Sequence, residues 1–293
     1  MEDNVSKGVK YMLFASLLFA FMGVAAKELS DNLNSIEVVF FRNIFGVLFI
    51  LFSIYKSPLK QIGGKFWLLI FRGTAGFIAL LFFFYNIANI SLGEAMTFSK
   101  TSTIFTALLA YFFLKEYIGF KGWIGVFIGF IGIVFITEFD GSALKKTDYL
   151  GILSGVGAAL AYTSIRELRR YYDGRAIVLS FMAVGTIFPL ILMIISEFYF
   201  NPSLDFMLGR FVFPSFYEWF IILLLGVFST YAQIYMTKAY SVAKAGIIGT
   251  ISYSNIVFSI ILGLFMGDGF PSFIIVLGIL LIIISGILVS KKE

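Results

Sequence analysis

Apolar runs follow one another along this chain with little between them but short charged or turn-forming breaks. Ile274–Ile284 is one such run without a single polar side chain. In lipid a backbone must satisfy its own hydrogen bonds, which leaves helices and closed barrels as the structures able to span. Transmembrane barrel strands alternate apolar and polar residues over about ten positions; these runs are continuous and read as helices. A spanning helix needs roughly 20 apolar residues. Ten segments qualify, near 9–26, 36–55, 66–88, 95–114, 120–137, 149–166, 176–197, 217–237, 245–266 and 271–290. The longest connection, Phe198–Phe216, holds Pro202 and Pro214 and is too short for a soluble domain. The expected fold is all-α and integral to the membrane.

Composition narrows the chemistry. The chain is 60% hydrophobic and 13% charged, against about 25% charged in soluble domains, so lipid must cover its surface. It has no cysteine and no histidine, which excludes disulfides, thiolate or imidazole catalysis and His- or Cys-based metal or haem sites. No cofactor and no metal are expected. The net charge of +5 is not gathered in any soluble domain, so nucleic acid is not an expected partner. Fifteen Lys and Arg lie in loops and tails on the side of the N-terminus, and four (Lys27, Lys145, Lys146 and Arg210) lie opposite. By the positive-inside rule both termini face the cytoplasm, which requires an even number of spans. Lys7 and Lys10 before a short apolar run also fit a cleaved leader; a mid-chain counterpart to that segment argues for a true span.

That counterpart comes from a weak internal repeat. At an offset of 141, Ala20 falls on Ala161, Ile36 on Ile177 and Phe40 on Phe181. At an offset of 150, Gly76 meets Gly226, Tyr85 meets Tyr235, Ser91 meets Ser241, Ala95 meets Ala245 and Ser102 meets Ser252. Two repeats are expected, residues 1–143 and 144–293. With five spans in each, the second enters the membrane upside down. Inverted repeats of this kind place a substrate site near the midplane between halves. A structural or sensory bundle with accidental symmetry is the plainer alternative.

Three runs carry a resemblance: Arg72-Gly73 through Phe84-Tyr85-Asn86, Ile90-Ser91-Leu92-Gly93-Glu94-Ala95-Met96-Thr97-Phe98-Ser99, and Leu114-Lys115-Glu116. The second half echoes them in Ala239–Ala245, Ser252-Tyr253 and Gly267-Asp268. Together they resemble the EamA-like branch of the drug/metabolite transporter superfamily, over essentially the whole chain. The resemblance implies ten helices in two inverted five-helix repeats, cytoplasmic termini and a central cavity lined by helices 1, 3, 4, 6, 8 and 9. It implies transport of amino acids, vitamins, organic anions or opine-like metallophores, in either direction. In one departure, the family's fourth helix often reads Ser-Pro where this chain has Ser102-Thr103, so the residue that would break that helix is missing.

Polar groups in apolar helices are costly and therefore candidates for function. In the fourth segment Ser99, Ser102, Thr103 and Thr106 follow helical spacing and make one polar stripe, with Thr97, Lys100 and Thr101 beside it. Lys100 lies about 9 Å inside the segment at 1.5 Å per residue; it either meets an anionic substrate group or snorkels outward. In the ninth segment Tyr253 and Asn255 sit near the midpoint, where an amide must bond another helix or a ligand. Tyr162, Tyr231 and Tyr235 offer aromatic walls with hydroxyl tips. The substrate-binding set is thus Lys100, Thr103, Tyr162, Tyr231, Tyr235, Tyr253 and Asn255. Arg42 and Arg72 lie about six residues inside their segments, near opposite membrane faces; they could line the cavity, close a gate, or bond carbonyls and lipid phosphates, and gate or structural roles are expected first, substrate contact second. Glu94, Glu116 and Glu167 fall at segment ends and Asp268 in a loop; no buried carboxylate stands out, so facilitated diffusion or exchange is favoured over proton drive, with a tyrosine- or terminus-based ion site as the alternative. Gly125, Gly129 and Gly132 permit close helix contact within the chain or across a homodimer.

The reading is a non-enzymatic, multi-pass transporter of the bacterial inner membrane, moving a small polar or anionic metabolite by alternating access. A flippase for an amphipathic or lipid-linked substrate is a second transport reading. A membrane-embedded enzyme or sensor would need an acid pair or an output module that this chain lacks.

Overall fold

The computed structural model describes residues 5–59, 62–114, 119–138, 144–168, 170–199, 201–242 and 251–290. Among them are helices and no strand. They are α1 (Val5–Leu29), α2 (Ser35–Lys56), α3 (Phe66–Asn89), α4 (Leu92–Lys100), α5 (Ser102–Leu114), α6 (Phe120–Ile136), α7 (Lys146–Leu168), α8 (Gly174–Phe198), α9 (Phe216–Val242), α10 (Ser254–Phe265) and α11 (Phe273–Ser290). A 3₁₀ turn, Pro202–Leu204, follows α8. Helix falls on each of the ten expected segments, the fourth being split into α4 and α5. Among the described residues five helices are long and apolar enough to cross a membrane by length and composition: Ser6–Leu29, α2, α3, α8 and Phe216–Met236 within α9.

Local chemistry sets several boundaries. Asn34 and Glu37 form a capping box at the start of α2, each side chain accepting from the other's backbone N–H, which satisfies two orphan donors at once. Ser91 caps α4 by accepting from the Glu94 N–H. Asp173 caps α8 through the Arg175 N–H.

The helices pair as α1 with α9, α3 with α7, α2 with α8, α6 with α11, and α4 with α10. Without a hydrophobic drive between helices in lipid, close backbone approach does the packing. The closest seam is α6 on α11: a methyl on Gly132 would lie 3.0 Å from the Gly278 carbonyl, and one on Gly278 would lie 2.9 Å from the Gly132 carbonyl. The glycine face of α6 therefore contacts α11 of the same chain through Gly129 and Gly132.

α8 and the fourth span depart from ideal form. α8 contains Pro189, which has no N–H for the carbonyl four residues earlier. That carbonyl belongs to Gly185, and Asn43 Nδ2 of α2 donates to it at 3.1 Å. The fourth span is interrupted at Thr101 although no proline is present. Thr101 Oγ1 donates to the Phe98 carbonyl at 2.6 Å, the Thr101 N–H is shared between Thr97 and Phe98, and Ile104 N bonds back only three residues to Thr101. Back-bonding of this sort bends helices.

Candidate transport site

The interruption at Thr101 has a counterpart in the ninth span. Ile251 is helical, Ser252 and Tyr253 form a turn, and α10 begins at Ser254. There too the bonds tighten to three residues, Asn255 N to the Ser252 carbonyl and Ile256 N to the Tyr253 carbonyl. Ser102 and Ser252, paired by the 150-residue offset, thus sit at two helix breaks. Lys100 crosses between them, with Nζ donating to Ser252 Oγ at 3.5 Å. Among the described residues it meets no carboxylate. Ser99, Thr103 and Thr106 are half-buried along the same stripe, while Thr97 and Thr101 are fully buried. Gly151 and Gly155 of α7 pack directly onto Phe98 and Thr101, so α7 backs the break from behind.

The other sequence-predicted residues divide. Asn255 Nδ2 donates to the Ser16 carbonyl of α1 at 2.9 Å, so its amide joins two helices. Tyr253 is buried in an apolar cluster with Phe98, Ile133, Ile136 and Ile256 and packs on Gly286. Tyr235 stacks edge-on with Phe14, centroids 4.8 Å apart, and lies under Lys238 Nζ at 5.0 Å. Tyr162 and Tyr231 are 53% and 52% exposed.

Arg42 and Arg72, expected near opposite faces, meet at one ring. Their guanidinium carbons lie 5.8 and 4.9 Å from the centroid of Phe181 in α8. Arg42 Nη1 donates to Asn43 Oδ1 at 3.0 Å. Both cations are within electrostatic range of Tyr162. Gly76 makes room for the arrangement, since a methyl there would lie 2.5 Å from Arg72 Nη1 and 2.9 Å from the Phe181 ring. The sequence reading missed Phe181 and Asn43; the adjacent Arg42-Asn43 pair inside an apolar run was the available signal.

Polar contacts fasten the end of the bundle opposite the termini. Asp268 pairs with Lys27 and accepts from the Leu92 N–H at 2.8 Å, while Lys27 also donates to the Ile90 carbonyl. Asp205 pairs with Lys146 and accepts from Tyr85 Oη at 3.2 Å. Glu37, a wholly buried carboxylate the sequence reading passed over, accepts from the Val212 N–H at 2.8 Å in addition to its capping bonds. At the other end Lys65 pairs with Glu167 at 2.8 Å, which pushes the exposed Lys65 ammonium above its usual range. Arg175 there donates to the Ser57 carbonyl at 2.7 Å.

The profile of the EamA-like transporter family matches residues 6–138 and again residues 145–291. An uncharacterized transporter of Helicobacter pylori (strain ATCC 700392 / 26695) is 35% identical, covering 99% of this chain and 96% of that protein. A pseudopaline exporter of Pseudomonas aeruginosa (strain UCBPP-PA14) is 29% identical over 99% of this chain and 98% of its own. An S-adenosylmethionine uptake transporter of Rickettsia prowazekii is 24% identical over 98% and 93%. A solved crystal structure shares the fold at a TM-score of 0.62 and 17% identity, covering 97% of this chain and 96% of that one. This chain belongs to the EamA-like transporter family, a multi-pass membrane transporter and not an enzyme.

Proposed function

We propose that the protein carries a small polar or anionic metabolite across a bacterial inner membrane by alternating access between two inverted five-helix repeats, residues 1–143 and 144–293. The observation that carries this reading is the pair of helix breaks at Thr101 and Ser252-Tyr253, bridged by Lys100. Broken helices near the midplane are where secondary transporters bind substrate, because unwound backbone there lines a cavity. The family profile matching twice supports the repeat. So does the packing: exchange of the two halves turns α1–α9 into α7–α3, and returns α2–α8 and α6–α11 to themselves. In this reading Lys100, Thr103 and Tyr162 contact solute and Tyr231 and Tyr235 belong to the wall. Tyr253 and Asn255 hold the broken span against α11 and α1.

The test is solute uptake into proteoliposomes, guided by thermal stabilisation of the purified protein across anionic, cationic and neutral metabolites. A ligand at 100 times its dissociation constant stabilises by about 2.7 kcal/mol. Failure of every stabilising solute to enter protein-containing vesicles faster than protein-free ones would sink the transport mechanism. Lys100→Ala with affinity and uptake intact would remove Lys100 from the site.

A further inference from the structure

Arg42 and Arg72 are 3% and 7% exposed, inside apolar spans, and neither meets a carboxylate among the described residues. Arg42 Nε and both Nε and Nη1 of Arg72 are enclosed without a hydrogen-bond partner. A guanidinium does not give up its proton, so burial cannot silence these charges. Phe181 offers its ring to both, but one quadrupole shared between two cations does not replace a counterion. Intramembrane cations of this kind are kept where they serve a solute pathway. Tyr162 of α7, half-exposed, lies within electrostatic range of both. Two planar guanidinium forks of this shape match a two-oxygen planar acceptor.

We propose that Arg42 and Arg72, gathered on Phe181, are the receptor for a carboxylate of the transported solute, which makes this carrier specific for organic anions. The inference rests on the transporter reading and specifies its substrate class. Asn43 is a positioning residue: by holding Arg42 Nη1 it fixes one fork, and it leaves Nε free.

The probes are acetate, succinate, glutamate and citrate, with succinamide as the uncharged counterpart of succinate and inorganic phosphate as the competing oxyanion. Thermal unfolding is followed in detergent for the wild type and for Arg42→Gln, Arg72→Gln and the control Lys56→Gln. At least one carboxylate is expected to raise Tm while succinamide does not. The shift should vanish in both arginine variants and persist in Lys56→Gln, an exposed cation at the end of α2. The ligand-free arginine variants should melt at or above the wild-type temperature, because an uncompensated charge has been removed; a structural role for the arginines would lower it. The proposal is overturned if no carboxylate stabilises the wild type, if phosphate alone does, or if the shift survives both arginine substitutions. Should cationic or neutral solutes stabilise the protein and cross the membrane instead, the transport mechanism stands and the anion receptor falls.

Discussion

Asn43 of α2 donates to the Gly185 carbonyl of α8, the acceptor that Pro189 leaves without a helical partner. A defect in one helix is thus answered by a side chain of its neighbour, as a lipid environment demands. The same amide presents its oxygen to Arg42, so one buried side chain serves a helix defect and a cation together.

Removing Asn43 should therefore cost more than one ordinary hydrogen bond. Asn43→Ala is expected to destabilise by about 1–3 kcal/mol, the penalty of leaving buried partners unsatisfied. Pro189→Ala restores the missing N–H, so Asn43→Ala in that background should cost less by about 1 kcal/mol, a coupling measurable in a double-mutant cycle. Additive melting temperatures for the two substitutions would refute the relationship.

Asp268→Ala releases Lys27 and the Leu92 N–H at the end opposite the termini. Loss of a partly exposed pair removes about 1 kcal/mol of bias towards the fastened state, or roughly fivefold in population. The chain has no native cysteine, so Thr103→Cys reports directly on access to the fourth span. Its labelling by an impermeant maleimide from that end should rise about fivefold when Asp268 is replaced; an unchanged rate would show that the pair is not a latch.

Gly132→Leu sets a side chain against the Gly278 carbonyl and Ile282. The glycine seam has no slack, and overpacking costs about 1–3 kcal/mol or more, read as lost expression and a lower Tm. Gly174→Ala is the control: nothing lies within 4 Å of a methyl there, and the substitution should be neutral or stabilise by about 0.4–1 kcal/mol.

Orientation is tested with two cysteines placed at opposite ends. An impermeant thiol reagent on intact cells should label the Gly269→Cys variant and spare Ser57→Cys until the membrane is opened. The reverse pattern would contradict the charge asymmetry of fifteen against four.

Much of this was legible in the sequence. Each expected span is occupied by helix because an apolar run that long has few other ways to exist in lipid. Lys100, Arg42 and Arg72 were identifiable as intramembrane cations on cost alone. What could not be read was direction. Depth along a segment says nothing about the face a residue presents, so Asn255 and Tyr253 looked like solute contacts while the structure turns them to α1 and α11. Arg42 and Arg72 were assigned to opposite faces from their distances to segment ends, yet long side chains on neighbouring helices converge on Phe181. The break in the fourth span was hidden for a different reason: the signal sought was proline, and Thr101 bends the helix through its hydroxyl.

The seam that Asn43 closes also limits how the molecule can move. α2 and α3 meet α8 through Asn43 on Gly185, Gly46 on Met182 and Gly73 on the Ser180 carbonyl, contacts too close to admit another atom. A joint of this kind tolerates a small turn but not a gap. Under the proposed alternating access, with two halves tilting against each other, this joint would be the fulcrum. The spans that part would then be those away from this seam, among them the ends of the first, fourth and ninth spans that Lys27 and Asp268 fasten together.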